Sequence, residues 1–252
     1  MGIKIGKLTN KNMSIQFSDS TNKSGIKERT LKLLGVDSVQ WPVENIVNSA
    51  NDWHDFIVGY ALANDKNFQW DDTNHTKLPE GTVNLTSGQS DYSFLTDEQG
   101  NSIVTLLGVS VYDGTYYQPL KLIDRNDADY DVATFGMISG TPTYYDKIAD
   151  NIIRLDRKPS STVTNGLKFY FQRTGSYFQT TDTTKTPGFN PLLHRGYVIA
   201  SAYDGAITLG TSNVQLLANE RQNEEKKVIQ YFAERNNDNP KPKISIKRIL
   251  YI

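Results

Sequence analysis

The apolar residues of this chain change their spacing twice along its length, and that double switch constrains the fold more than any other feature. In WPVENIVNSANDWHDFIVGYALAND, residues Val43, Ile46, Val47, Ala50, Trp53, Ile57, Tyr60 and Ala61 follow Pro42 at helical offsets. Those offsets trace one face of an α-helix, and a proline suits its first turn because the N–H it lacks would have no partner there. From about Phe68 the pattern becomes an alternation, as in VTLLGVSVYDGTYYQPLKLI, where two strand-like runs flank Asp113-Gly114. Asp-Gly at such a junction predicts a tight hairpin with both central residues at positive φ. Further strands are expected over Asp91–Phe94, Thr143–Lys147, Ile152–Asp156 and Leu167–Arg173, which together make a compact antiparallel β region.

Helical spacing returns in FNPLLHRGYVIASAYDGAITLG. Asn190 is the expected cap, Pro191 the first turn and Gly210 the stop, with Leu192, Leu193, Tyr197, Ala200, Tyr203 and Ile207 facing inward. Ser212 and Gln215 have capping-box spacing, so another helix is expected to about Arg235 with Val214, Leu217, Val228 and Phe232 on one side. Its charged middle, ERQNEEKK, should face solvent or a partner. A short helix is also expected from Gly25 to Leu34.

The ends read differently. The first two dozen residues are rich in Lys, Asn and Ser and are expected to order only against a neighbour. NNDNPKPK cannot continue a helix, and ISIKRILYI beyond it alternates like a strand. That tethered segment suits the sheet edge of another chain, or else serves as a last strand of its own β region. The fold class is therefore α+β: a small helical bundle with an inserted antiparallel β region and extended N- and C-terminal arms. The corresponding boundaries are 1–24 for the arm, 25–66 and 188–236 for a discontinuous helical domain, 67–187 for the β insertion, and 237–252 for linker and tail.

Charge and motif content narrow the function. A formal net charge of −1 argues against a protein whose main task is to coat nucleic acid, which needs clustered Lys and Arg. The sequence has no long apolar run and no signal-like segment in MGIKIGKLTNKNMSIQF, so a soluble, non-secreted protein is expected. Without cysteine there is neither a disulfide nor a thiolate metal site. His54, His75 and His194 form no ligand-spaced pair, and His54 and His194 read as ordinary helix residues. Phosphate-cradling and nucleophile-elbow motifs are missing from the sequence, and Ser201 lies mid-helix where a nucleophile would be badly presented. Asp127, Asp129 and Asp131 have the start of a calcium-loop spacing, but Val132 replaces the turn glycine and Ile138 the bidentate Glu. Asp71-Asp72 implies no defined carboxylate separation of the kind a glycosidase uses. Neither enzyme activity nor any cofactor or metal is therefore expected.

The aromatics Tyr116, Tyr117, Tyr144 and Tyr145, with Trp41, Trp53 and Trp70, suit interface anchors, a sugar-stacking platform or plain core packing. Neighbouring residues on a strand point to opposite faces, so at most one Tyr of each pair enters the core.

From about Trp41 to Ile207 the layout resembles the head-to-tail connector (adaptor) proteins that sit beneath the portal in tailed bacteriophages. The resemblance rests on the Trp-Pro helix start, LPEGTVNLTSGQSDYSF, the hairpin with PLKLID, and GTPTYYDKIADNIIRLDRKP. It continues through GLKFYFQRTGSYFQTTDTTKTPGFNPLLHRGYVIASAYDGAI. One departure is RLDRKP, where related chains have a more apolar, proline-rich step.

The resemblance implies a structural virion protein in the phage neck, made in the host bacterial cytoplasm. Such proteins form a homo-oligomeric ring, typically twelve-fold, that binds the portal above and a tail or nozzle protein below and lets DNA pass without sequence recognition or membrane contact. The arm and the tail lie outside the resemblance. On physical grounds the expected portal or neighbour-subunit contacts are Ile244, Ile246, Ile249 and Tyr251 in the tail and Val228 and Phe232 on the last helix. Tyr116, Tyr117, Tyr144 and Tyr145 are the expected ring-interface residues. Rival readings are another phage neck or tail ring component, or a carbohydrate-binding or carbohydrate-active tail protein.

Overall fold

The computed structural model describes residues 14–64, 80–97, 100–123 and 134–235, and its content is α+β. Helices α1 (Ile26–Leu34), α2 (Val43–Asn64), α3 (His194–Leu209) and α4 (Val214–Arg235) flank the β segments in sequence. Helix α3 is central, because α1, α2 and α4 all pack against it. Its composition explains this role. A helix that is apolar or small on nearly every side has to be surrounded, and residues 196–202 of α3 are all buried. Close approach is set by glycine: a methyl group at Gly196 would lie 2.4 Å from the Trp53 ring, and one at Gly205 would lie 2.5 Å from Leu34.

The helix ends follow local chemistry, with some departures from the expected pattern. Gly35 and Gly210 close α1 and α3 in the left-handed conformation, at φ of 71° and 65°. Asn190 accepts from the Leu192 N–H, but the cap opens a single 3-10 turn, Pro191–Leu193, before α3 begins. Leu192 is consequently exposed, and Ile207, near the far end of α3, is exposed as well. Both were expected inside. The Ser212–Gln215 box does not start α4 either. The carbonyl of Asn213 accepts the first helical bond, from Leu217 N–H, which makes Asn213 the capping position.

The strands among the described residues are β1 (Glu80–Leu85), β2 (Asp91–Ser93), β3 (Ile103–Tyr112), β4 (Tyr117–Pro119), β5 (Lys121–Leu122), β6 (Ile138–Ser139), β7 (Tyr144–Ala149), β8 (Ile152–Leu155), β9 (Arg157–Lys158) and β10 (Val163–Arg173). They form two four-stranded sheets, ordered β1-β10-β3-β4 and β2-β8-β7-β5, and a β6-β9 pair. Most pairings are antiparallel, but β5 with β7 and β6 with β9 run parallel, so the expected purely antiparallel region is mixed. The Asp113-Gly114 hairpin is wider than a two-residue turn. Asp113 Oδ1 accepts from the N–H groups of Thr115 and Tyr116, so the side chain organises a four-residue loop between Tyr112 and Tyr117. Only Gly114 in that loop takes positive φ, at 105°.

Two apolar cores result. Tyr92, Phe94, Val109, Val111, Tyr145, Ile153, Leu155, Leu167, Phe169 and Phe171 pack in the β region. The other core gathers the helices with four aromatics from outside them, Phe17, Trp41, Phe178 and Phe189. Phe17 is fully buried and its ring stacks on Phe178 at 5.2 Å. Residues 14–24 of the expected free arm are thus ordered against their own chain: Phe17 and Ser18 N–H groups donate to the Lys185 and Thr183 carbonyls. Residues 1–13 lie outside the described residues.

Candidate interaction surfaces

The segment that returns from β10 to α3 is fastened to α2 by polar groups. The Asn51 side chain donates to the Phe178 carbonyl at 3.1 Å and accepts from the Phe178 N–H at 2.8 Å. Tyr177 donates its hydroxyl to Asp55 at 2.6 Å, and burial together with that carboxylate pushes the phenol up to about 12. His54 lies beneath this seam, with Nδ1 2.8 Å from the Tyr197 hydroxyl. A methyl group at Gly175 would fall 1.9 Å from its Nε2. Burial, and secondarily the charge of Lys185, lowers His54 from 6.5 to about 3 and holds it neutral.

His194 is neutral by hydrogen bonding. Its Nδ1 accepts from the Ile15 N–H at 3.2 Å, which leaves Nε2 as donor to the Phe189 carbonyl 2.8 Å away. Both histidines hold chain segments together, as expected of ordinary structural residues. The chain also leaves the β region through a buried ion pair, Arg173 to Asp97 at 2.7 Å, with both side chains less than a tenth exposed.

The sequence-selected contact residues fall in different places. Ile244, Ile246, Ile249 and Tyr251 lie outside the described residues. Val228 and Phe232 point inward, at 1% and 0% exposure, because their face of α4 completes the helical core. They are corrected from surface contacts to core residues. Tyr145 is likewise buried and Tyr144 only half-buried, beneath the Lys121 ammonium. Tyr116 is exposed. Tyr117 is half-buried, donates to the Asn165 carbonyl at 2.7 Å, and lies 4.7 Å below the Lys168 ammonium. Among the four tyrosines, Tyr116 therefore presents the freest ring.

The charged stretch of α4 is not uniformly solvated. Glu224 is 2% exposed and accepts from Arg195 and Lys227, both at 2.7 Å. Arg195 also reaches Glu220, while Arg221 spans Asp204 and Glu225 and lies over Tyr203. This lattice joins α3 to α4. It makes Glu224 internal, while Gln222, Asn223, Lys226 and Lys227 of the stretch stay exposed as expected.

Surfaces the pattern reading missed come from three leucine doublets. Adjacent residues are about 100° apart around a helix, so where a helix is packed along one face a doublet turns one of its side chains outward. Leu34, Leu193 and Leu217 are buried, whereas their neighbours Leu33, Leu192 and Leu216 are exposed at 42, 74 and 63%. Asn213 ties the end of α1 to the α3–α4 turn by donating to the Leu33 carbonyl at 3.0 Å. Ile207, Leu209 and Leu216 are exposed beside that turn, and Leu33, whose carbonyl meets Asn213, is exposed as well. The doublets themselves were the available signal.

Among the described residues there is no group of three or more His, Asp or Glu placed to hold a metal ion, and no helix long and apolar enough to cross a membrane. No known protein-family model matches the chain, and no curated protein matches it.

Proposed function

We propose that the chain is a structural ring component of a tailed-bacteriophage virion, an adaptor between portal and tail, and that it works by assembly and not by catalysis. The observation that carries this reading is the leucine pattern of the helical region. Helix α3 is enclosed almost completely, yet Leu33, Leu192 and Leu216 remain outward beside buried partners. Leu33 and Leu216 lie by the α3–α4 turn and Leu192 before the opposite end of α3, and apolar side chains left outward in this way suit surfaces that a second protein covers.

In this reading residues 25–66 and 188–236 are a small helical adaptor bundle, residues 67–187 are its β insertion, and the ring closes by heterologous contact between unlike patches. Helix α4 and Leu216 face the portal. Ile244, Ile246, Ile249 and Tyr251 add a strand to the portal or to the adjacent subunit, and Tyr116 serves the ring interface. A tail or nozzle protein binds below, and DNA passes through the lumen without being gripped.

Electron microscopy of the full chain mixed with its portal tests the proposal: a closed ring seated on the portal is expected, and a dispersed monomer would overturn it. Removing Lys243–Ile252 is expected to abolish attachment while the monomer stays folded. Normal attachment by the truncated chain would remove the tail from the mechanism. Glycan binding by the isolated monomer, with no ring, would favour a sugar-binding tail protein instead.

A further inference from the structure

A groove of about 580 Å³ runs between α1, α3 and the loop that precedes α1. Its floor is apolar, formed by Leu33, Val198 and Ile199, and its rim is cationic, formed by Lys23, Arg29, Lys32 and Arg195. Arg195 is already committed to Glu220 and Glu224. Lys23, Arg29 and Lys32 have no carboxylate partner among the described residues. The nearby acids are otherwise engaged, Glu28 by Ser18 and Asp19, and Asp19 by Asn22 and Ser24. Asp19 organises the loop so that Lys23 sits at positive φ, 56°, a conformation that residues with a Cβ seldom adopt.

Three unpaired cations around an apolar floor call for an occupant that is acidic and partly apolar. The chain contains such a segment. Residues 124–133, DRNDADYDVA, place four aspartates against one arginine, with Tyr130 and Val132 among them. The segment lies outside the described residues, but its flanks are anchored in the β region, where Ile123 and Phe135 are buried. Ile123 donates there to the Tyr145 carbonyl. The groove belongs to the helical core and the acidic segment to the β region, so one subunit carries both halves of a head-to-tail contact.

We infer that the cationic groove receives the acidic segment 124–133 of a second copy of this chain, and that this charge-complementary contact sets the register between neighbours in the ring. The inference rests on the ring reading. A phosphate backbone is the poorer occupant, because the apolar floor offers it nothing.

Carbodiimide coupling of the full chain, using an equal mixture of isotopically light and heavy protein, reads the contact directly. Peptides joining Lys23 or Lys32 to Asp124, Asp127, Asp129 or Asp131 are expected, with mixed isotopes. Their absence, or linkage only within one isotope, overturns the inference. Charge reversal supplies the second arm. Lys23→Glu, Arg29→Glu and Lys32→Glu combined should weaken self-association at least about tenfold, as should Asp127→Lys, Asp129→Lys and Asp131→Lys combined. Mixing the two variants should restore association, and far-UV circular dichroism checks that each remains folded.

Wild-type association should also weaken as salt rises from about 0.05 to about 0.5 M. Rings that form unchanged with the reversed groove refute the groove and spare the ring, whereas a wild-type chain that never self-associates refutes both. Loss of duplex-DNA binding in the groove variant, with association intact, would identify a phosphate site and overturn the inference.

Discussion

The helical and β regions of this chain solve the same packing problem from different stretches of sequence. The β core draws only on residues from Leu85 to Phe171, whereas the helical core combines Phe17–Ala61 with Phe178–Phe232. Their fastenings differ accordingly. Ion pairs cross the strands, such as Arg154 to Asp91 and the buried Arg173 to Asp97. In the helical region neutral side chains clamp backbone from the distant half of the chain, as Asn51 does with Phe178 and His194 with Ile15. The contrast teaches that the β region is closed by its own residues, while the helical region exists only when both ends of the chain meet.

Loss of a buried group should show how far the two cores are independent. Phe232→Ala should destabilise the helical core by about 3–5 kcal/mol, since the ring is fully enclosed. Asp97→Ala should cost about 2–3 kcal/mol in the β region by removing a buried partner of the Arg173 guanidinium. Amide hydrogen exchange checks both. Phe232→Ala should expose α3 while β3 and β10 keep their protection, and Asp97→Ala should do the reverse; equal loss in both regions would erase the contrast.

Acid should act next, and mainly on the helical side. Unfolded His54 takes up a proton near 6.5 and folded His54 only near 3. Its stabilisation is therefore complete above about pH 6.5 and is lost as pH falls toward about 3, at most a few kcal/mol in all. Urea titrations between these limits should show stability rising with pH, with a shallower slope in His54→Gln. Smaller again is Asn51→Ala, expected to cost about 1–3 kcal/mol because it strips partners from the Phe178 backbone. The smallest effect belongs to Arg221→Ala. Its two carboxylate partners are a third exposed, so a loss under about 1 kcal/mol is expected in thermal denaturation.

Much of this division was legible from spacing alone. The apolar offsets of α2 and the proline at its start located that helix to within a residue, and alternation located β2, β7, β8 and most of β10. Pattern failed where a side chain outside the element decides the outcome. Leu192 and Ile207 fit an inward face by number, but a 3-10 turn shifts the first outward and the second lies in the last turn of α3. Glu224 looked solvated within ERQNEEKK, and the distant Arg195 joins Lys227 in offsetting its burial. Phe17 sat in a polar stretch that composition assigned to a free arm; its partner Phe178 is far away in sequence. As for the candidate surface, the leucine doublets signalled an outward leucine at each site, but not that two of them, Leu33 and Leu216, would belong to segments that meet at one turn.

The bond from Ile15 N–H to His194 Nδ1 joins groups 179 residues apart. On a ribosome, the segment that seats Phe17 emerges only after the whole β region has left the exit tunnel. The β core can therefore form while Phe17 and Trp53 still await their partners, and the helical core closes last. Limited proteolysis of nascent chains stalled at increasing length should show protection appearing first over residues 80–173 and only later at Phe17. A chain built this way keeps its helical surface incomplete until α4 has been made, which delays association between unfinished copies.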